Sequence, residues 1–310
     1  MSTQRQRCVQ RIRVLTIDFF TPLFLPFLNF SLSFFAAFAG NLEVFSSRPP
    51  LDICDMATEY LAAETAMKVE SEEVPVGHRG GPPLYGRMMK SIQTGHTFGN
   101  RVRMLKLPLI FLEEGLYAGA ITQFYFLSVA LEAQLDRHSS DPMVAKVLGL
   151  GLRVAPGYEA DLRELYGEGW REVASRARTA ATEAYVGVIE SADAVSLVAA
   201  AFILWGALVV GGGKATQAKV RKVIPRCEHR LFDVAEDMKK ARQSFKNTFT
   251  AIGKEWPEHF ATLEAEAARF MDLNNSVVLS VRCWGVTATA ITAGVAALGV
   301  GAVVACRARA

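Results

Sequence analysis

The sequence is short of the residue clusters on which metal, disulfide and phosphate chemistry usually depend. Its 310 residues include five cysteines and five histidines, and none stands at CxxC, HExxH or similar ligand spacing. The scattered cysteines argue against a disulfide framework and structural zinc, and they favour a reducing compartment. The formal net charge is only +3, with no basic run interleaved with aromatics, so no nucleic acid is expected as a partner.

Alternating strand patterns and internal repeats are lacking too, whereas helical spacing begins at Leu84. Leu84, Met88, Ile92 and His96 recur every four residues, which places them on one apolar helix face. An N-cap followed by proline, Asp141-Pro142, opens another helix. Further helices are predicted at 110–136, 158–165, 170–189, 226–252 and 257–281. The predicted fold class is therefore all-α, a single multi-helix domain spanning residues 84–283.

Two long uncharged runs lie towards the ends of the chain. Residues 19–40 follow four arginines, so 1–55 is either a targeting segment or upstream sequence that the mature protein lacks. Residues 56–83 are predicted to be a linker. The last run, 284–306, is long enough to cross a bilayer and ends close to the C-terminus. It predicts a transmembrane tail anchor that leaves the helical domain on the cytosolic side; the alternative is a hydrophobic C-terminal core helix.

A third uncharged run, AVSLVAAAFILWGALVVGGGK, occupies residues 194–214. It is compatible with a transmembrane helix, a buried core helix, or a helix broken by glycine over a flat ligand. The GGGK ending does not make a phosphate loop, because Leu208 and Ala215 stand where a Walker motif needs glycine and Ser or Thr. Consecutive glycines do predict a kink and a backbone that a planar ligand can approach closely.

The roles of the acidic residues and of the single histidine of the first helix are not determined by their spacing alone. The acidic side chains of the central helices show surface spacing and are predicted to be solvated; they are Glu113, Glu114, Glu132, Asp136, Asp161 and Glu164. Glu159 and Arg163 are predicted to form an i,i+4 ion pair. His96 is either a core histidine or the axial ligand of a heme, whose porphyrin supplies the other four nitrogens.

Taken in order, these features resemble the heme oxygenase family, specifically its eukaryotic membrane-anchored type. The resemblance covers about residues 89–281. The matching segments are His96-Thr97, Tyr125–Glu132, Asp161-Leu162, Tyr166–Trp170, Leu197–Lys214, Phe245-Lys246 and Phe270 with Asn274. The family fold implies that heme b lies between a proximal and a glycine-kinked distal helix. The family converts heme to biliverdin, carbon monoxide and Fe²⁺ with electrons from an external flavin reductase.

The resemblance also implies roles for individual residues. His96 would be the axial ligand of the iron, and Lys246 and Lys90 would face the propionates. Thr97, Phe270 and Asn274 would belong to the pocket wall, and the distal helix would line the heme with Phe202, Ala207, Leu208, Gly211 and Gly212. Membrane lipid would bind the C-terminal helix. The family analogy favours the endoplasmic reticulum, and the basic end of the tail favours the mitochondrial outer membrane.

The chain departs from the family on its distal helix. Leu208 stands at the family's aspartate, Ala207 replaces the preceding glycine, and Phe202 and Leu204 replace polar residues; Thr250 replaces a basic one. General acid catalysis is typically worth ~10²–10⁴-fold in rate, and an apolar wall has no place for the water that carries the proton. No catalytic residue is therefore assigned. The hypotheses are a divergent heme oxygenase, a non-catalytic membrane-anchored heme-binding protein for storage, delivery or sensing, and a heme-free protein with three spans.

Overall fold

The computed structural model describes residues 83–286 together with Thr289, Ala293 and Gly294. Across these residues the regular structure is entirely helical, which confirms the predicted fold class. The helices are α1 (Leu84–Ser91), α2 (Gln93–Ile110), α3 (Glu114–Arg137), α4 (Pro142–Leu148), α5 (Ala155–Tyr166), α6 (Trp170–Ala177), α7 (Ala180–Glu190), α8 (Ala194–Val209), α9 (Gly213–Val223), α10 (Met238–Glu255) and α11 (Phe260–Ser280). Short 3₁₀ turns occur at Arg230–Phe232 and Pro257–His259. The predicted 1–55 segment and nearly all of the 56–83 linker and the 284–306 anchor lie outside the described residues.

Two helices, α8 and α11, organise the core. Helix α11 packs on α1, α2, α7 and α8, and α8 packs also on α3, α4 and α10. From Leu197 to Trp205 every residue of α8 is buried. The apolar sequence of α8 therefore belongs to a core helix surrounded by other helices, which is the second of the three interpretations. The three-span hypothesis does not allow a helix buried in this way.

A bend of 54° separates α8 from α9, with the break between Val209 and Gly213. The predicted glycine kink is thus confirmed. By length and composition, none of the described helices alone would cross a bilayer, and only the bent pair α8 and α9, counted together, would pass that test.

Several predicted helix boundaries differ from the observed ones. The long helix predicted from residue 110 begins at Glu114, after α2 has ended at Ile110. The helix predicted at 170–189 is divided, because the Gln123 side chain accepts the Thr179 backbone N–H at 2.9 Å and donates to the Ala177 carbonyl at 2.9 Å. These bonds satisfy backbone groups that a continuous helix would pair internally. The Asp141-Pro142 cap is confirmed, with Asp141 accepting from the N–H groups of Met143 and Val144.

Two of the acidic residues predicted to be solvated are buried. The Glu132 Oε1 accepts the backbone N–H groups of Val154 at 2.6 Å and Ala155 at 2.9 Å. Asp161 is fully buried, and its carboxylate accepts from the N–H groups of Arg230 and Leu231 at 2.7 and 2.9 Å. The prediction was wrong for both, because each carboxylate pairs with backbone donors of a loop distant in sequence. The Glu159–Arg163 pair is confirmed, at 2.9 Å.

Candidate functional site

The predicted axial ligand, His96, lies half-buried in the first turn of α2. The side-chain amide nitrogen of Asn100, one turn later, lies 3.4 Å from His96 Nδ1. Arg103 donates to the amide oxygen of Asn100, and this bond turns the amide nitrogen towards the imidazole. A histidine that ligates a metal is usually oriented by a partner on its other ring nitrogen, so Asn100 occupies an orienting position for this ring.

Helix α2 is seated on α11 through two glycines that flank His96. The Asn275 side-chain amide donates to the Gly95 carbonyl at 2.8 Å. A Cβ on Gly99 would overlap the Asn275 Oδ1, so the helices approach more closely than a larger residue would permit. Asn275 is buried, and its Oδ1 has no hydrogen-bond partner among the described residues. The sequence comparison had selected its neighbour Asn274, which is also buried.

The bend after α8 is made possible by Gly211. A Cβ at Gly211 would collide with the carbonyl oxygen of Ala207, the residue one turn before it. Gly211 and Gly212 are half-buried, and Ala207 is exposed. The bend therefore leaves backbone without side chains at the C-terminal end of α8, as a helix that covers a planar ligand requires.

The wall that α8 presents is apolar. Phe202 is buried against Phe249 at 5.0 Å between ring centroids and against Phe245 at 5.9 Å. Leu208 is also buried, with only 9% of its surface exposed. Trp205 carries the only polar side-chain atom among the residues of α8 that are buried. The buried side chains of α8 are therefore apolar apart from the Trp205 indole, and the position of this helix on the distal side of a heme stays a prediction.

Cationic side chains of α10 lie near the end of this wall. Arg242 Nε lies 3.4 Å from the Val209 carbonyl, at the C-terminus of α8, where positive charge is favourable. Lys246 follows one helical turn later and is half-buried. Lys90 is exposed in the last turn of α1. Arg242 was missed in the sequence, although its i,i+4 spacing to Lys246 was a usable signal.

The other predicted wall residues have different surroundings. Thr97 is exposed and its hydroxyl donates to the Gln93 carbonyl of its own helix at 2.9 Å. Phe270 is fully buried on α11 and stacks on Tyr185 of α7, with ring centroids 5.7 Å apart. Phe270 thus belongs to the helix that supports both α2 and α8.

Two buried hydrogen-bond donors near these helices lack partners among the described residues. They are the indole N–H of Trp205 on α8 and the hydroxyl of Tyr185 on α7. Both side chains are fully buried, and burial raises the pKa of Tyr185 far above its ordinary value. Unsatisfied buried donors are uncommon in folded proteins and typically mark the position of an internal water or a ligand group.

A second polar cluster closes the loop between α9 and α10. His229 is fully buried; its Nε2–H donates to the Ile224 carbonyl at 2.9 Å, and its Nδ1 therefore accepts the Tyr117 hydroxyl at 2.9 Å. Its backbone is left-handed, with φ of 56°. Burial and the nearby Asp161 carboxylate raise the pKa of Tyr117. The sequence alone did not reveal this cluster, because its members are far apart in the chain.

Asp161, Glu164 and Cys227 of the same region bring three potential ligand atoms within 4.8 Å of one another. Their donor atoms are already used by the loop: Glu164 accepts the Glu228 N–H at 2.8 Å and pairs with Arg230 at 2.8 Å. Burial raises the pKa of the Cys227 thiol to about 12, whereas metal ligation needs the thiolate. Asp161, Glu164 and Cys227 therefore stabilise the loop between α9 and α10, and their donor atoms do not suit a metal ion.

The residues around α2 and α8 do suit a heme. A histidine, a glycine-opened bend, an apolar wall and a cationic edge are all carried by helices that pack on α11 or on α8. Binding of iron through Nε2 of His96 would put the ring proton on Nδ1, so Asn100 would have to turn its oxygen towards the ring. The arrangement is compatible with heme binding, and α8 (residues 194–209) carries no carboxylate of its own.

The chain is similar in sequence to known heme oxygenases. The model of the heme oxygenase family matches residues 84–278. A protein described as heme oxygenase 1 from Nostoc sp. is 30% identical over 112 residues, which are 36% of this chain and 46% of that protein. The aligned region thus spans about half the length of the Nostoc protein.

Solved structures show the same fold. A heme oxygenase 2 of Chlamydomonas reinhardtii, crystallised without heme, is 26% identical with a TM-score of 0.60, covering 66% of this chain and all of that one. The heme oxygenase-2 of Synechocystis sp. PCC 6803, in complex with heme and NO, is 19% identical with a TM-score of 0.56, covering 64% and 85% of the two chains.

Proposed function

Because this chain belongs to the heme oxygenase family, we propose that it binds heme between α2 and α8, with His96 as the axial ligand of the iron. Arg242 and Lys246 stand at the edge of the distal wall and attract the propionates. Asn100 and Asn275 act on the proximal side: Asn100 would orient the imidazole once its amide oxygen is turned towards Nδ1, and Asn275 fixes the helix that carries it. The bound group supplies a redox-active iron inside a porphyrin that can itself be oxidised.

The observation that carries the non-catalytic form of this proposal is the buried Leu208. Proton delivery needs a polar group or an ordered water, and a buried leucine side chain holds neither. Phe202 and Leu208 exclude water from this side of the pocket. The chain would then hold heme for storage, delivery or sensing and degrade it slowly or not at all.

A second candidate is turnover of heme to biliverdin, carbon monoxide and Fe²⁺, with electrons from an external flavin reductase. The observation in its favour is the pair of unpartnered buried donors, Trp205 Nε1 and Tyr185 Oη. An internal water bound to either donor would provide a proton path that does not use the position of Leu208.

We place the protein at a membrane through residues 284–306, whose length and lack of charge suit a bilayer span. The helical domain would face the cytosol at the endoplasmic reticulum or the mitochondrial outer membrane. Expression of the full chain with and without these residues, followed by carbonate extraction of membranes, tests the anchor. Release of the full chain by carbonate would contradict it.

Hemin titration of the detergent-solubilised full chain tests heme binding. The wild type should give a saturable Soret band, and His96→Ala should shift that band and weaken the affinity about tenfold or more, since the iron loses its protein ligand. His138→Ala is a matched control, because His138 follows α3 and has no assigned role. Absence of a Soret band in the wild type would refute heme binding, and an unchanged band in His96→Ala would refute the ligand assignment.

Addition of a flavin reductase, NADPH and oxygen then separates the two candidates. A stable heme spectrum indicates binding alone, whereas a rise of biliverdin absorbance and release of carbon monoxide indicate turnover. If turnover occurs, Trp205→Phe and Tyr185→Phe should each lower its rate without loss of the Soret band, as expected for residues that hold a proton-carrying water.

A further inference from the structure

The exposed large apolar side chains of the described residues are concentrated at one end of the helical domain. Two lie on α2, Phe98 and Leu105, with 48% and 76% of their surfaces exposed. Three more lie at or just after the end of α11, and these are Leu279, Trp284 and Val286. Only Val129, on α3, lies elsewhere.

The two groups are joined by Lys106. The Nζ of Lys106 donates to three backbone carbonyls at the C-terminus of α11, those of Val278, Leu279 and Val281, at 3.0, 2.5 and 2.7 Å. Leu105, the preceding residue, therefore lies close to the end of α11. Phe98 lies seven residues before Leu105, on the same face of α2. We call the five side chains Phe98, Leu105, Leu279, Trp284 and Val286 the apolar end.

Heme does not account for the exposed positions on α2. Leu105 follows His96 by nine residues, which at about 3.6 residues per turn puts the two on opposite sides of the helix. Helix α11 does not cover them either, since it packs on the Gly95 and Gly99 face. The stripe formed by Phe98, Arg101 and Leu105 therefore faces outwards on a helix whose other faces have assigned partners.

Basic side chains outnumber acidic ones around the apolar end, where one carboxylate, that of Glu113, lies against Gly285 between Trp284 and Val286. No aspartate or glutamate occurs from residue 74 to 112 or from residue 273 to the C-terminus. Arg101 and Lys106 lie on α2, and Arg282 follows α11. Exposed apolar side chains within a predominantly basic surround are typical of surfaces that bind anionic membranes.

The sequence that follows points to the same occupant. The uncharged run 284–306 begins at Trp284, which is itself a member of the apolar end. Tryptophan is enriched at the interface between lipid headgroups and acyl chains. We propose that the apolar end, on the outer face of α2 and the end of α11, docks onto the surface of an anionic lipid bilayer.

Docking would hold the domain in one orientation, with the outer face of α2 against the membrane and the His96 face away from it. This inference is independent of heme binding, because none of the five side chains belongs to the proposed heme site. A failure of the heme titration would leave it intact, and a failure of docking would leave the heme site intact.

The test uses the full chain with p-benzoylphenylalanine at position 105 or 279, reconstituted with vesicles of phosphatidylcholine with or without phosphatidylserine. Position 129 is the matched control, since Val129 is also large, apolar and exposed. After illumination, positions 105 and 279 should give severalfold more lipid adduct than position 129, and phosphatidylserine should increase the difference. Equal yields at the three positions would overturn the proposal, as would adducts at 105 to a second copy of the chain.

A second arm uses Leu105→Asp combined with Leu279→Asp. Both positions are exposed, so the thermal unfolding temperature and the hemin titration should stay close to those of the wild type. The lipid adduct from a photoreactive group at position 98 should fall severalfold in this variant. An undiminished adduct would contradict docking through the apolar end.

Discussion

The side-chain amide of Asn275 donates a 2.8 Å hydrogen bond to the backbone carbonyl of Gly95, the residue before His96. The last helix of the domain thereby fixes the helix that carries the proposed iron ligand. Since α11 also packs on α8, one helix sets the positions of both walls of the proposed heme site. Changes on α11 should therefore affect heme binding even where they do not touch heme.

The close approach at Gly99 gives the first prediction. Gly99→Ala places a methyl group against the Asn275 side chain, and we expect it to lower the free energy of unfolding by about 1–3 kcal/mol and to weaken hemin affinity. Urea denaturation and hemin titration measure the two effects. Gly119→Ala is the control: among the described residues, no atom outside the neighbouring backbone of α3 lies within 4 Å of its Cβ position, so alanine should stabilise the helix by roughly 0.5–1 kcal/mol. Equal effects of the two variants would refute the helix contact.

Two buried tyrosines give the second prediction. Tyr117→Phe removes the donor to His229 Nδ1 and should cost about 1–3 kcal/mol of unfolding free energy, because a buried imidazole nitrogen loses its partner. Tyr185→Phe removes a hydroxyl that has no partner among the described residues, so the stability of the heme-free protein should stay the same or rise. Chemical denaturation of the two heme-free variants measures both unfolding free energies. A larger loss of unfolding free energy in Tyr185→Phe than in Tyr117→Phe would contradict the hydrogen bonding described for these two hydroxyls.

The buried Glu132 carboxylate gives a pH-dependent prediction. Burial raises its pKa above the ordinary 4.5, although its bonds to backbone N–H groups oppose the shift. A carboxylate with a raised folded-state pKa contributes stability that is fully present below its unfolded pKa and is lost as pH rises through the folded value. Glu132→Gln keeps the accepting oxygen and removes the ionisation, so its stability relative to wild type should improve as pH rises.

Denaturation series from acidic to neutral pH measure this difference. Glu168→Gln serves as the control for the loss of one carboxylate, since Glu168 is exposed in the turn before α6. A constant difference between wild type and Glu132→Gln across the series would show that Glu132 does not carry the effect.

The distal wall gives the fourth prediction. Leu208→Asp introduces a carboxylate where the sequence comparison places the family's aspartate, and biliverdin formation should rise by a factor within ~10²–10⁴, the usual range of general acid catalysis. The variant should also unfold at a lower temperature, because the carboxylate replaces a buried leucine. Ala215→Asp, at an exposed position of α9, should leave biliverdin formation unchanged. Equal turnover in both variants would show that position 208 does not limit the chemistry.

The sequence by itself determined the helical class, the glycine kink and the apolar character of residues 194–209. These properties depend on local spacing and composition: apolar residues at helical intervals need a core, and Gly211 permits a backbone that a Cβ would obstruct. The resemblance to heme oxygenases also rested on local motifs such as His96-Thr97, and the family match from residue 84 to 278 confirmed the family.

Only the tertiary structure decided which polar side chains are buried and what they bind. Glu132 and Asp161 show the spacing of surface residues, yet each accepts two backbone N–H groups from a loop more than twenty residues away. Asn275 and its neighbour Asn274 cannot be distinguished by sequence, because the choice depends on which one faces Gly95. Such pairings depend on how helices distant in sequence approach one another, and local periodicity carries no information about that approach.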